Sequence, residues 1–127
     1  MDTTADSNLT KRALAAAMKE LMEQMPFSKI SVSDIAEQCG MNRKSFYYHF
    51  KDKYDLVNWI FDMEYLRLTS EQDSTGIWEF LTVLCGFFYE NRAFYRRALR
   101  IEGQNSFLEH FKEVLEPTIK YFLASSL

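Results

Sequence analysis

A chain of 127 residues can form one domain, or one small domain with a helical extension, around a real but modest core. With 47% hydrophobic and 16% aromatic residues but only four Gly and two Pro, it reads as a helical, globular protein, which excludes a disordered chain. The net charge of −3 argues against a protein coated in positive potential, so a nucleic-acid partner would have to be gripped by a local basic face.

No run of about 18 apolar residues is present, so no membrane span is expected. The N-terminal MDTTADSN carries acids and no apolar h-region, which points to a cytoplasmic location. Residues 1 to 8 are polar and are expected to fray. Helix one is expected over about Leu9 to Met25, where Leu14, Met18, Leu21 and Met25 recur at helical spacing with Ala17 in the seam. Arg12, Lys19, Glu20 and Glu23 then make the solvated face. Pro26 stops the helix, and Phe27 and Ile30 plug the core beside it.

Ser31 is a good N-cap, and Asp34 three residues later supplies the acid of a capping box. The short helix that follows puts Val32, Ile35, Ala36 and Cys39 on one side and Glu37 and Gln38 on the other. Gly40 ends it, because glycine enters the left-handed C-cap geometry without a steric cost. Asn42 is a second N-cap, for a helix over about Arg43 to Phe50 with Phe46 and Phe50 as its apolar side. What remains is Arg43, Lys44, Ser45, Tyr47, Tyr48 and His49. Arg and Lys pair with guanine edges or phosphates, Ser donates to either, and Tyr and His reach phosphate oxygens while their rings pack on sugars and thymine methyls. Asp52 caps the next helix, and Lys53 in its first turn hints at an anion nearby, since the macrodipole disfavours a cation there. From Arg43 to Lys53 four basic residues face the single acid Asp52, which is the local basic face that the overall charge requires.

The pattern Ile35-Ala36, Gly40, Phe46-Tyr47, His49-Phe50, Lys53 and Leu56 resembles the DNA-binding domain of the TetR family of bacterial transcriptional regulators, from Leu9 to about Phe61. The wording NRKSFYYHFKDKYDLVNWIF is similar to the subgroup that contains activators of dihydroxyacetone kinase operons. The resemblance implies an all-α chain, with a three-helix helix-turn-helix domain over residues 1–52 and a regulatory and dimerisation region over 53–127. Helix four, 53–70, would be shared between them. It implies that Arg43, Lys44, Ser45 and Tyr48 face base edges or adjacent phosphates, and that Tyr47, His49 and Lys53 hold the backbone. Asn42 belongs to the same surface, and Ser33 and Lys11 match positions that commonly touch phosphate. Many members carry a small residue where this chain has Lys44. Double-stranded DNA and a second copy of the chain are the implied partners. Relatives normally carry a further helix pair that builds the dimer's four-helix interface, so a truncated chain or an unusual dimer is expected.

Helix four places Val57, Ile60, Phe61, Glu64 and Leu68 on one side. A polar loop is expected over residues 70 to 76. Beyond it Ile77, Phe80, Leu81, Leu84, Cys85, Phe87 and Phe88 form a wide apolar surface ending near Glu90, with Gly86 suggesting close packing. After Asn91 a short helix carries Phe94, Ala98 and Ile101 inward. Arg92, Arg96, Arg97 and Arg100 read as a solvated or acid-paired face, because Glu90 and Glu102 flank them and no phosphate-reading motif accompanies them. A last helix over roughly Ser106 to Leu123 contains Pro117, which should kink or interrupt it.

Cys39 and Cys85 sit in apolar stripes and read as buried thiols, without metal-ligand spacing, and no cofactor is expected. His49 and His110 are the only histidines, and no phosphate loop or catalytic spacing appears, so the chain does not read as an enzyme. The aromatics of the second half read as core and subunit interface in preference to a small-molecule effector cavity; a protein coactivator is the other possible input. The rival to a DNA-binding regulator is a protein-interaction module whose helix-turn-helix has lost DNA.

Overall fold

Side-chain caps at Ser31, Asn42 and Asp52 open the helices that follow them. The computed structural model describes residues 3–71 and 76–126, and every regular element among them is helical. The helices are α1 (Thr3–Gln24), α2 (Val32–Gln38), α3 (Arg43–His49), α4 (Lys53–Glu71), α5 (Ile77–Glu90), α6 (Arg92–Ala98) and α7 (Phe107–Ser126), with a 3-10 turn at Phe27–Lys29 between α1 and α2. Ahead of α2 the Ser31 hydroxyl accepts from the Asp34 N–H at 3.0 Å while the Ser31 N–H donates to the Asp34 carboxylate at 2.9 Å, so the capping box is complete. The Ser31 N–H, and then the Ser31 hydroxyl, hold the Asp34 carboxyl below the usual carboxylate range. Asn42 Oδ1 accepts from Ser45 N–H at 2.9 Å ahead of α3, and Asp52 Oδ1 accepts from Asp55 N–H at 2.8 Å ahead of α4. Gly40, at φ 73°, supplies the left-handed residue between α2 and α3 that a side chain would strain.

Two boundaries differ from expectation. Helix α1 starts at Thr3 instead of fraying through residue 8, and Met1 and Asp2 lie outside the described residues. Helix α7 is not interrupted at Pro117: the proline is exposed, and the carbonyl one turn back that loses its helical donor can turn to water. Of the polar loop expected over residues 70 to 76, residues 70 and 71 belong to α4, and residues 72–75 lie outside the described ones.

The core starts in the small three-helix unit. Leu14, Ala17, Met18, Leu21 and Met22 of α1 meet Ile35 of α2, Phe46 and Phe50 at α3, and the two plugs Phe27 and Ile30. Each large apolar side chain so buried contributes about 1.5–3 kcal/mol before entropy is set against it. Helix α4 carries this core onward. Its Leu56, Val57 and Ile60 belong to the first unit, while Phe61 lies edge-on to Tyr95 at 6.3 Å and Phe107 at 5.3 Å in the second. The aromatics of α5, α6 and α7 pack mainly on one another: Phe88 on Tyr95 at 4.7 Å, Phe80 against Phe122 at 5.3 Å.

Lys19 departs from the solvated face assigned to it. Its ammonium is paired with the Glu64 carboxylate, whose other oxygen accepts from the Tyr95 hydroxyl at 2.7 Å. This chain of three explains the acid in the apolar stripe of α4, since a half-buried carboxylate is stable only with partners of this kind. Burial first, and then the Glu64 charge, drive the Tyr95 phenol far above its ordinary range, so it stays a donor. Two smaller expectations also fail. Cys85 is exposed, because the stripe of α5 narrows to Phe80, Leu84 and Phe87, and Gly86 faces open space.

Candidate nucleic-acid interface

Helix α3 is seven residues long, so it presents one anchored side and one free side. Phe46 and Phe50 anchor it in the core, their rings 5.8 Å apart. Arg43 and Lys44 in the first turn are exposed, as are Tyr47 and Tyr48; Tyr48 is 85% exposed and has no buried side to justify an aromatic there. Arg43 lies over the Tyr47 ring at 5.9 Å, which orients the guanidinium without consuming its N–H donors. Ser45 is half-buried, with its backbone N–H held by Asn42. Asn42 itself is exposed and spends only its side-chain oxygen on the cap.

The flanks come from elsewhere in the chain. His49, half-buried at the end of α3, has its Nδ1 3.3 Å from the Ser7 hydroxyl of α1. Burial and then the Lys11 charge keep His49 below the ordinary imidazole range, so it is neutral near pH 7. The structure thereby brings Lys11 and His49 together at one edge of α3, a juxtaposition of residues 38 positions apart. Ser33 is half-buried in the first turn of α2. Gln38 Nε2 donates to Glu20 at 2.8 Å and pins α2 on α1.

Lys53 sits differently from the others. Its ammonium donates to the carbonyls of Phe27 and Ile30, both at 2.8 Å, and lies 4.2 Å above the Phe27 ring. Burial pulls its pKa down. Two of its three donors are therefore engaged in fastening the turn that leads into α2 to the start of α4. Two residues absent from the expected site belong beside it. Ser7 was out of sight because residues 1 to 8 read as frayed. Lys51, exposed between α3 and α4, was counted in the local charge but given no role.

What the arrangement can do follows from its chemistry. It offers charged and phenolic donors on a rigid, capped helix that rises from a packed three-helix base, and among the described residues no cluster of His, Cys, Asp or Glu could hold a metal. No helix among the described residues is long and apolar enough to cross a membrane.

Residues 13–60 match the family model described as bacterial regulatory proteins, tetR family. Over 116 residues the chain is 29% identical to the HTH-type dhaKLM operon transcriptional activator DhaS of Lactococcus lactis subsp. lactis (strain IL1403), an alignment that takes in 89% of this chain and 62% of that relative. Among solved structures it is similar to a dihydroxyacetone kinase operon activator DhaS, with a TM-score of 0.63 and 31% identity over 80% of this chain and 56% of the other. The chain thus spans less than two thirds of the length of either protein.

Proposed function

We propose that the chain is a member of the tetR family of bacterial regulatory proteins and a cytoplasmic transcriptional regulator that binds a palindromic operator as a dimer. One observation carries the reading: Arg43, Lys44, Tyr47 and Tyr48 stand clear of the protein on a helix whose other side is locked by Phe46 and Phe50. Arg43 and Tyr48 read base edges or the phosphates next to them, joined by Lys44 and Ser45. Tyr47, the Asn42 amide, and the Lys11 and His49 pair hold the backbone, with Ser33 at the start of α2. Lys53 contributes mainly by holding that start in place. The two recognition helices of the dimer enter major grooves about 34–36 Å apart, or a multiple of it.

The DhaS-type relatives are named as operon activators, and we extend an operon-regulating role to this chain. The dimer contact and the regulatory input lie in α5 to α7, where Trp78, Tyr89 and Tyr121 are exposed and offer apolar area to a partner chain. Fluorescence anisotropy with the intergenic DNA beside the gene tests the proposal. The wild-type chain should bind saturably, and an Arg43→Ala, Tyr48→Ala variant should lose on the order of a hundredfold in affinity, since each good base contact is worth about 1–3 kcal/mol. A folded double variant that binds like wild type would overturn the assignment of α3.

A further inference from the structure

A cleft of about 570 Å³ opens where the three-helix unit meets the C-terminal helices, between the turn at Phe27, the first turn of α4 and the end of α6. Its size is that of a small-molecule site. Lys53, Arg97 and Arg100 all line it, and the lone carboxylate on its walls is Glu102. Among the described residues neither arginine forms an ion pair, and Lys53 is matched by carbonyl dipoles alone. Three cationic side chains thus share one cleft, and burial pulls the Lys53 pKa down. Tyr54 and Ile101 add apolar wall beside them. A solvated arginine face explains Arg92, which folds back over Tyr89 and donates to that residue's carbonyl at 2.8 Å, but not two arginines without an acid partner lining the same cleft as a half-buried lysine.

We propose that this cleft is a binding site for a small organic anion, a phosphate or carboxylate on a short apolar body. The anionic group is held by Arg97 and Arg100, which can donate in bidentate fashion, and by the remaining N–H of Lys53. The apolar body rests on Tyr54 and Ile101. Because Lys53 also ties the turn before α2 to α4, an occupant clasps the end of α6 to the base of the recognition unit. Occupancy therefore biases how the two halves sit. That consequence for DNA rests on the regulator reading above; binding of the anion does not.

Isothermal titration of the full chain with phenyl phosphate, in the absence of DNA, tests the site directly, with phenol and inorganic phosphate as comparators. The expected result is saturable binding of phenyl phosphate, weaker binding of inorganic phosphate and none of phenol. An Arg97→Gln, Arg100→Gln variant, which removes no buried apolar contact, should weaken binding by about tenfold or more, the loss typical of one charge-assisted hydrogen bond or more. No saturable binding in the millimolar range, or equal binding by wild type and the folded variant, would overturn the proposal. So would a variant that lost operator affinity while the wild type bound no anion, which would give the arginines to the DNA backbone instead.

Discussion

Helices α3 and α6 look alike as sequences and end up with opposite jobs. Each has seven residues, follows an asparagine, starts with arginine and contains a Phe-Tyr pair: RKSFYYH in one, RAFYRRA in the other. Yet Tyr48 of α3 is 85% exposed, and Tyr95 of α6 is 2% exposed, bonded to Glu64. The difference begins at the asparagine. Asn42 is extended, at ψ 170°, and its side chain caps a new helix. Asn91, at ψ 28°, ends α5 and bonds back to the Phe87 carbonyl at 3.0 Å, so α6 folds directly against α5 and α1. Helix α6 buries Phe94, Tyr95 and Ala98, whereas α3 buries Phe46 alone and leaves its two tyrosines free for a partner.

The largest effect that should separate the two helices is the loss of their tyrosines. Tyr95→Ala should cost about 3–5 kcal/mol, the range for removing a buried aromatic, whereas Tyr48→Ala should change stability by no more than about 0.5 kcal/mol; urea denaturation of both variants measures it. Equal costs would dissolve the contrast. The next effect concerns the acid that receives Tyr95. Glu64→Gln leaves Lys19 half-buried without a counter-charge and should cost about 1–3 kcal/mol, recoverable in part by adding Lys19→Met, and a double-mutant cycle in urea gives the coupling. Smaller again, Asn42→Ala should cost about 1 kcal/mol through the lost cap and Asn91→Ala less, because the Asn91 side chain bonds a carbonyl at the end of α5 and leaves the N-terminus of α6 uncapped; thermal melts rank the two.

The smallest effect is one of pH. His49 has a folded pKa below its unfolded value, so the unfolded chain takes up a proton first as pH falls. Stability should therefore decline as pH drops through the ordinary imidazole range near about 6.5 and level off below the folded pKa. Urea midpoints at a series of pH values, wild type minus His49→Gln, isolate the contribution; a difference that rises toward low pH would reverse the sign.

The contrast also shows what a sequence discloses. The helix-turn-helix was legible because its determinants are local: the Ser31 and Asp34 box, Gly40, the Asn42 cap and the Phe46 and Phe50 pair all act within four residues. The outward row on α3 followed by subtraction, as the residues the core did not need. Lys19 was misplaced for the opposite reason, since its partner Glu64 is 45 residues away and nothing near Lys19 announces it. Glu64 itself was visible as an acid in an apolar stripe, a signal that a distant cation and donor were required, but not which ones. Lys53 was read from the macrodipole of its own helix, whereas the carbonyls that hold it belong to a turn 23 to 26 residues earlier. Ser7 reached the site because α1 extends further back than its polar start suggests, whereas Lys11 lay within the expected helix.

The most direct measurement of the central claim, that α3 turns its basic and phenolic side chains into a DNA groove, is operator affinity as a function of salt for the wild type and for Lys44→Ala. For several phosphate contacts per dimer the wild-type affinity should fall by orders of magnitude between about 50 and 200 mM salt, and the variant's logarithmic slope should be shallower by about one for each contact removed. A wild-type affinity that hardly responds to salt, or identical slopes for the two proteins, would contradict it.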